Sequence, residues 1–221
     1  MTNRGGLLFM LLAGACVAAG AACGARVART VRADTPKSAA TPSPVGDPGA
    51  MLTQEEEALN RRPLKLPLSR PRVVVEKGAR RLRLYAGGEL VRVRRVVLGS
   101  DPQGDKERQG DGRTPEGEFQ ICMKNGKSKF YLSLGLTYPN AEDAERGLRD
   151  GLISQAQHKA ITRALAAGRC PPWDTALGGE IFIHGGGSAS DWTRGCLALD
   201  DPDMKELFDS LPLGTPVRVN P

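Results

Sequence analysis

The sequence predicts a mainly β fold of the α+β class, and three observations lead to that prediction. Short apolar or alternating runs separated by glycine-containing turns recur over residues 73–134, as in antiparallel hairpins. A helical spacing of apolar residues follows over residues 141–167, which is typical of amphipathic helices. Strand-like runs then return on either side of a short helix near residue 205. We therefore expect one domain in which a helical insertion interrupts a sheet.

Each element has its own local signal. Hairpin turns at Lys77-Gly78 and Ala86-Gly87-Gly88 make the first three runs a β-meander. The helical region is expected to form one or two helices with a break near Gly147 or Gly151. A last helix is expected at Pro202 to Leu211, with Asp201 as its cap. The predicted strands are Val73 to Glu76, Leu82 to Tyr85, Leu90 to Leu98, Glu118 to Met123, Lys129 to Leu134, Glu180 to Ile183, and Val217 to Val219, which would close the sheet.

The beginning of the chain has the composition of a secretory signal. Arg4 precedes an apolar run from Leu7 to Ala22, which is short for a membrane span of about 20 residues. Residues 1–25 are therefore interpreted as a signal peptide or membrane anchor. Cys16 and Cys23 also leave lipid attachment open. We expect an exported protein of the periplasm or cell envelope that contacts a membrane only through this segment.

A linker separates this segment from the domain. Residues 26–70 are rich in Pro, Ala and Arg, so they bury too little apolar surface to fold alone. One short helix is expected at Thr53 to Asn60, with Thr53 as its cap. Residues 71–219 then form a single domain of ordinary size.

The net charge of +6 does not indicate a nucleic-acid-binding protein, because aromatic residues make up only 5% of the chain and no basic run contains them. A mild positive surface would suit an anionic wall polymer or a membrane. Six arginines on strand-like segments are expected to form solvated faces: Arg80, Arg81, Arg83, Arg92, Arg94 and Arg95.

The strongest chemical signal is an apolar strand that ends at His184, followed by a glycine-rich loop that leads to Cys196. A thiol attacks a carbonyl as thiolate, and imidazole is the side chain suited to take its proton near neutral pH. Glycines in the loop would let backbone N–H groups approach a reacting carbonyl. A metal site is disfavoured, because two ligands are too few for zinc and His158 lies in a polar part of the predicted helix. No cofactor is expected.

Three cysteines follow the predicted signal: Cys122, Cys170 and Cys196. In an oxidising compartment one pair would normally be bridged and the odd thiol would be free or reactive. Cys122 and Cys170 are therefore a candidate disulfide. The alternative, two separate buried cysteines, stays open because spacing does not determine connectivity.

The chain resembles the L,D-transpeptidase catalytic domain of bacterial cell-wall enzymes over residues 71–219. The resemblance depends on several runs of residues, and one of them is similar to a subgroup of the family. These are Ile183-His184-Gly185, Thr193-Arg194-Gly195-Cys196-Leu197, Asp200-Asp201, Leu213-Gly214-Thr215-Pro216-Val217, Arg113-Thr-Pro-Glu-Gly117, and, for the subgroup, Tyr131-Leu-Ser133 with Tyr138-Pro-Asn140.

The resemblance implies a β-sandwich or barrel in which a cysteine forms a thioester with a peptidoglycan stem peptide. By position, Cys196 is the nucleophile, His184 the base, and the carbonyl of Gly185 an orienter of the imidazole. The amides of Gly195 and Cys196 would form part of an oxyanion site, and Thr193 and Arg194 are further orienting candidates. Many family members have histidine where this chain has Arg194, so Arg194 is expected to stabilise charge or bind a substrate carboxylate.

Three functions stay open from the sequence. The first is a transpeptidase that crosslinks peptidoglycan or attaches an envelope protein to it. The second is a carboxypeptidase or amidase that hydrolyses the same thioester. The third is a wall-binding module without activity, which predicts loss of the nucleophile or the base, although both residue types are present here.

Overall fold

The computed structural model describes residues 51–221, and this part of the chain contains eight strands and four helices. The strands are β1 (Arg72–Glu76), β2 (Arg81–Ala86), β3 (Glu89–Arg95), β4 (Gly117–Ser128), β5 (Tyr131–Leu136), β6 (Phe182–His184), β7 (Leu197–Ala198) and β8 (Pro216–Asn220). The helices are α1 (Gln54–Arg61), α2 (Ala141–Arg149), α3 (Gln155–Ala166) and α4 (Asp201–Ser210). The predicted signal segment lies outside the described residues. The mainly β fold with helices is confirmed.

All eight strands form one mixed sheet in the order β3-β2-β1-β8-β4-β5-β6-β7. The two ends of this order meet, because Val97 just after β3 and Ala198 in β7 exchange backbone hydrogen bonds of 3.0 and 2.9 Å. The sheet therefore curls into a half-barrel. Its interior holds the main core, which includes Val75, Leu84 and Ile183, each 0% exposed. β6 and β7 thus lie where the curled sheet comes back on itself.

Two strands differ from the prediction. β5 begins at Tyr131 rather than Lys129, because β4 continues to Ser128 before the chain turns. β8, the strand predicted to close the sheet, is not an edge strand. It lies in the middle of the strand order, parallel to β1 and antiparallel to β4. Val217 and Val219 are fully or almost fully buried there, so the last strand is held from both sides.

The helical insertion consists of two helices, which is one of the two forms that the sequence predicts. The break between α2 and α3 contains Gly151, whose φ is +72°, a conformation that glycine adopts at little cost. Capping boxes begin both helices: Asn140 with Asp143, and Ser154 with Gln157. A second small core joins the two helices to Leu177.

The predicted cap of the last helix is wrong by one residue. α4 begins at Asp201, and its N-cap is Asp200. The carboxylate of Asp201 instead accepts a hydrogen bond from the amide of Gly186, 2.8 Å away. This residue therefore links α4 to the loop that follows His184.

The expectation of solvated arginine faces is wrong for the arginines closest to α1 and α4. Arg81 and Arg92 are only 6% and 3% exposed. Arg92 bonds Glu206 of α4 at 2.8 Å, and Arg81 lies 3.8 Å from Glu56 of α1. The two helices cover the strand face and carry the carboxylates that neutralise it, which strand alternation alone does not reveal.

The helix expected at Thr53 to Asn60 is present as α1, and Thr53 caps it. α1 lies against β3, where Asn60 and Val93 exchange hydrogen bonds of 2.6 and 2.9 Å. Across residues 51–221, no helix has both the length and the apolar character needed to span a membrane.

Cys122 and Cys170 form a disulfide, with their Cα atoms 5.2 Å apart. The structure thus decides between the two alternatives that spacing left open. The bridge joins β4 to the segment after α3. Cys196 is the free cysteine among the described residues.

Candidate active site

Parallel pairing of β6 and β7 brings together the parts of the chain that carry the two candidate catalytic residues. The register sets His184 opposite Ala198 and Ile183 opposite Leu197. Cys196 lies immediately before β7, two residues from Ala198, and strand alternation extended by one residue would put its side chain on the same side as His184. Leu199 donates to the carbonyl of His184 at 2.9 Å and continues this pairing. The pairing thus brings the chain next to Cys196 alongside the strand that ends at His184.

A tight turn immediately before β7 holds Cys196. The Thr193 hydroxyl donates to the carbonyl of Cys196 at 2.7 Å and accepts from the amide of Gly195 at 3.1 Å. Gly195 has a φ of +124°, and a Cβ there would lie 2.6 Å from the carbonyl oxygen of Arg113. Only glycine fits this turn. The amide of Gly195, expected in the oxyanion site, is bonded to Thr193 in this structure.

The imidazole of His184 is buried and held on three sides. Its ring stacks on Phe130 with centroids 4.7 Å apart, and Trp192 meets it edge to face with centroids 5.5 Å apart. Its Nδ1 is 2.6 Å from the carbonyl oxygen of Gly185, which requires the proton on Nδ1 because a carbonyl only accepts. Nε2 is then the unprotonated nitrogen of the neutral ring. The geometry expected between Gly185 and His184 is present.

Cys196 opens into a cleft of about 290 Å³. The sulfur is partly exposed and lies 3.4 Å from the carbonyl oxygen of Glu180, to which the thiol donates. Glu180 has a φ of +54°, an uncommon conformation for a residue with a side chain. The cleft is also lined by Lys106, Gln109, Trp173, Gly179 and Arg194.

Burial shifts the pKa values of the Cys196 thiol and the His184 imidazole in opposite directions. It raises the pKa of Cys196, with a further increase from the Glu180 carboxylate, while the Phe182 amide and the Lys106 ammonium lower it. Burial lowers the pKa of His184, and the hydrogen bond to Gly185 partly opposes this. The resting site therefore favours a neutral thiol beside a neutral imidazole, not a preformed ion pair.

Arg194 lies in the wall of the same cleft, two residues before the sulfur, and is exposed. Its guanidinium forms no ion pair or hydrogen bond with any residue in the range 51–221. An unpaired guanidinium beside a nucleophile is available to an anionic group of a ligand. This position fits both roles expected of Arg194.

The sequence did not identify several residues of the site. Phe130 and Trp192 enclose the imidazole, Trp173 and Lys106 line the cleft, and Asp201 binds the loop after His184. Trp192 and Asp201 lie within or beside the recognised motifs, so their positions in the sequence could have indicated that they belong to the site. Phe130 and Lys106 are 54 and 78 residues before His184 in the chain, and only the fold brings them close.

Other parts of the described structure show no comparable constellation. A larger cavity of about 460 Å³ lies among Arg70, Tyr85 and Leu213 and contains neither Cys196 nor His184. Within residues 51–221, no group of three or more His, Cys, Asp or Glu side chains is arranged to hold a metal ion.

Together, the fold and the site define a class of protein: a curled β domain with a cysteine and a histidine on neighbouring strands where the sheet closes. Comparison with known families then identifies the family. A model of the L,D-transpeptidase catalytic domain, YkuD, matches residues 70–219. The chain therefore belongs to the L,D-transpeptidase catalytic domain family.

Solved structures that are similar to this chain come from several bacteria. A mutant of the helical cell shape determining protein Pgp2 from Campylobacter jejuni is 22% identical, with a TM-score of 0.47, over 68% of this chain and 46% of that one. An L,D-transpeptidase from Xylanimonas cellulosilytica is 21% identical, with a TM-score of 0.40, over 72% and 64%. Bd1075 from Bdellovibrio bacteriovorus is 19% identical, with a TM-score of 0.46, over 71% and 49%.

The matched region thus spans between about half and two thirds of these solved chains. No curated protein sequence matches this chain.

Proposed function

We propose that this protein is a cysteine acyltransferase of the cell envelope that acts on peptidoglycan stem peptides through a thioester on Cys196. The observation that carries the proposal is the free thiol of Cys196 in an open cleft, immediately before the strand that pairs with the His184 strand. Membership of the L,D-transpeptidase family supports the substrate class. Family membership also supports a periplasmic or envelope location for an exported chain.

In the first step, Nε2 of His184 takes the proton from Cys196 as the sulfur attacks the carbonyl carbon on the L-centre of the diamino acid. The C–S bond forms, the C–N bond breaks, and D-alanine leaves with the proton returned by the imidazolium. Transfer during the attack suits this site, because burial disfavours both the thiolate and the imidazolium at rest.

The developing oxyanion needs a hydrogen-bond donor close to the sulfur. The amide of Gly195 is bonded to Thr193 at 3.1 Å, so we assign the oxyanion role to the amide of Cys196. Gly195 and Thr193 then act by holding the turn in shape. Arg194 supplies a positive charge at the same end of the cleft.

In the second step an amine attacks the thioester, the new C–N bond forms and the thiol is released. The acceptor is the side-chain amine of a second stem peptide or of an envelope protein. Glu180 lines the cleft beside Cys196, and its carboxylate is placed to attract an acceptor ammonium before His184 removes a proton from it.

The test is incubation of the purified protein with disaccharide tetrapeptide, with products identified by mass spectrometry. We expect crosslinked dimers and released D-alanine, and neither product with Cys196→Ala. Release of D-alanine without dimers would instead show that water is the acceptor and that the protein is a hydrolase.

A separate measurement tests the thioester chemistry itself. Exposure to a carbapenem should add one acyl group to Cys196, visible by intact-mass analysis and absent in Cys196→Ala. An unreactive Cys196 in folded protein would overturn the proposal and leave a wall-binding module as the explanation.

A further inference from the structure

The peptide group between Gly185 and Gly186 is hydrogen-bonded on both of its sides. Its carbonyl oxygen lies 2.6 Å from Nδ1 of His184. Its N–H donates to Oδ1 of Asp201 at 2.8 Å. A carbonyl and the following N–H belong to one planar, conjugated unit. A continuous chain of hydrogen bonds therefore runs from a carboxylate, through a peptide group, to the imidazole.

Two glycines allow this peptide group to approach Asp201 closely. A Cβ at Gly185 would lie 2.5 Å from Oδ1 of Asp201 and 3.1 Å from the carbonyl oxygen of Phe130, so any side chain there would displace the carboxylate. Gly186 has a φ of +100°, which other residues rarely adopt. Asp201 is the first residue of α4, and the helix fixes the position of its backbone.

The neighbouring carboxylate has different partners. Asp200 accepts from the amide and the hydroxyl of Ser188, each at 3.0 Å, and so anchors a later part of the loop. Of these two adjacent acidic residues, Asp201 is the one bonded to the peptide group that holds His184.

We infer that Asp201 is a positioning residue for His184 and acts through the Gly185–Gly186 peptide group. The inference rests on the proposed function, in which His184 is the base. A carboxylate that accepts from the N–H polarises the peptide and makes its carbonyl a stronger acceptor. The carbonyl then keeps the proton on Nδ1, so Nε2 stays unprotonated and can accept the proton of Cys196.

The same chain of bonds matters most when the ring is charged. As His184 takes the proton of Cys196, the imidazolium gains a strongly polarised carbonyl on its Nδ1 side and a negative charge beyond it. In enzymes with a nucleophile, a base and an acid, a carboxylate orients the base by direct contact. Here a peptide group separates the carboxylate from the ring.

The first test is the ¹⁵N–¹H NMR spectrum of the full chain labelled on histidine. The chain has two histidines, so His158→Gln assigns the signals of His184. We expect a protonated Nδ1 with a strongly deshielded proton in the unmodified protein. Asp201→Ala should move that proton upfield, and Asp201→Asn, which keeps an oxygen acceptor without the charge, should give an intermediate value.

The second test is the rate constant for acylation of Cys196 by a carbapenem, followed by intact mass across a range of pH. Asp201→Ala should lower this rate at least tenfold and Asp201→Asn about threefold. The inflection that belongs to His184 should also move to lower pH in Asp201→Ala, because the imidazolium loses stabilisation. A general loss of structure would not produce that shift.

Asp209→Ala is the matched control, since Asp209 is an exposed residue of α4 and, within residues 51–221, its one ion-pair partner is Lys205. Its Nδ1 signal and acylation rate should equal those of the unmodified protein. An unchanged Nδ1 proton in Asp201→Ala overturns the inference, whether or not the acylation rate falls. Lack of acylation in the unmodified protein refutes the proposed function instead, while the NMR result still decides the role of Asp201.

Discussion

Removal of the Cys122–Cys170 bridge should destabilise the domain by an amount that follows from its position. The two cysteines are 48 residues apart in the chain, and the closed loop contains β5, α2 and α3. In the chain-entropy model, a loop of this length stabilises the folded state by about 4 kcal/mol at 25 °C. This is a large share of the 5–15 kcal/mol that is typical of a domain.

The assay is urea unfolding of the oxidised protein and of the double variant Cys122→Ser, Cys170→Ser, followed by circular dichroism. Both positions are partly exposed, so serine adds little desolvation cost and the difference reports the crosslink. The unmodified protein in reductant serves as the control and should unfold at the same urea concentration as the variant. A loss below about 1 kcal/mol in natively folded variant would refute the reasoning, because the bridge would then constrain little of the unfolded chain.

Three further predictions concern the site and its surroundings. The pKa of His184 is lowered by burial, so the imidazole stays neutral on acidification and the rate of Cys196 acylation should fall only below pH 6.5. His184→Ala should remove most of the acylation rate at pH 7. A fall in rate centred above pH 6.5 would contradict the assignment. Gly195→Ala should cost at least about 2 kcal/mol of unfolding free energy, because it combines a left-handed φ with a Cβ 2.6 Å from a backbone carbonyl oxygen. The control is Gly87→Ala, which is also at positive φ but has no atom within 4 Å of the added Cβ. Equal losses in the two variants would show that the contact at Gly195 is relieved. Burial raises the pKa of Asp143 to about 6, so the folded protein binds this proton more tightly than the unfolded chain, and stability should fall as pH rises from about 4 to 6. In thermal unfolding, Asp143→Asn should lose less stability over that pH range. An identical pH dependence of the variant and the unmodified protein would count against the raised pKa.

The two candidate catalytic residues could be proposed from the sequence because they are close together in the chain. His184 and Cys196 are separated by a single loop, and the strand before the loop has an unmistakable apolar character. Local patterns also located the opening meander, the cap at Thr53 and the break between α2 and α3. Such signals depend on neighbouring residues, which a sequence displays directly.

Predictions failed where long-range contacts determine the outcome. The burial of Arg92 requires α1 and α4 to fold over the sheet and bring Glu206 to it. The position of β8 between β1 and β4 depends on strand pairing across the whole domain. Asp201 looked like a helix cap, a local role, yet its carboxylate bonds the loop beside His184.

The sequence by itself determined the fold class and the family resemblance and supplied the candidate pair of His184 and Cys196, because alternation, turn residues and a compact motif are encoded over short distances. Only the tertiary structure decided which cysteines are bridged, which charges are buried and which carboxylate bonds the loop after His184. Those outcomes depend on packing that brings together groups far apart in the chain. Burial and hydrogen bonding there set the pKa values and the tautomer on which the chemistry depends.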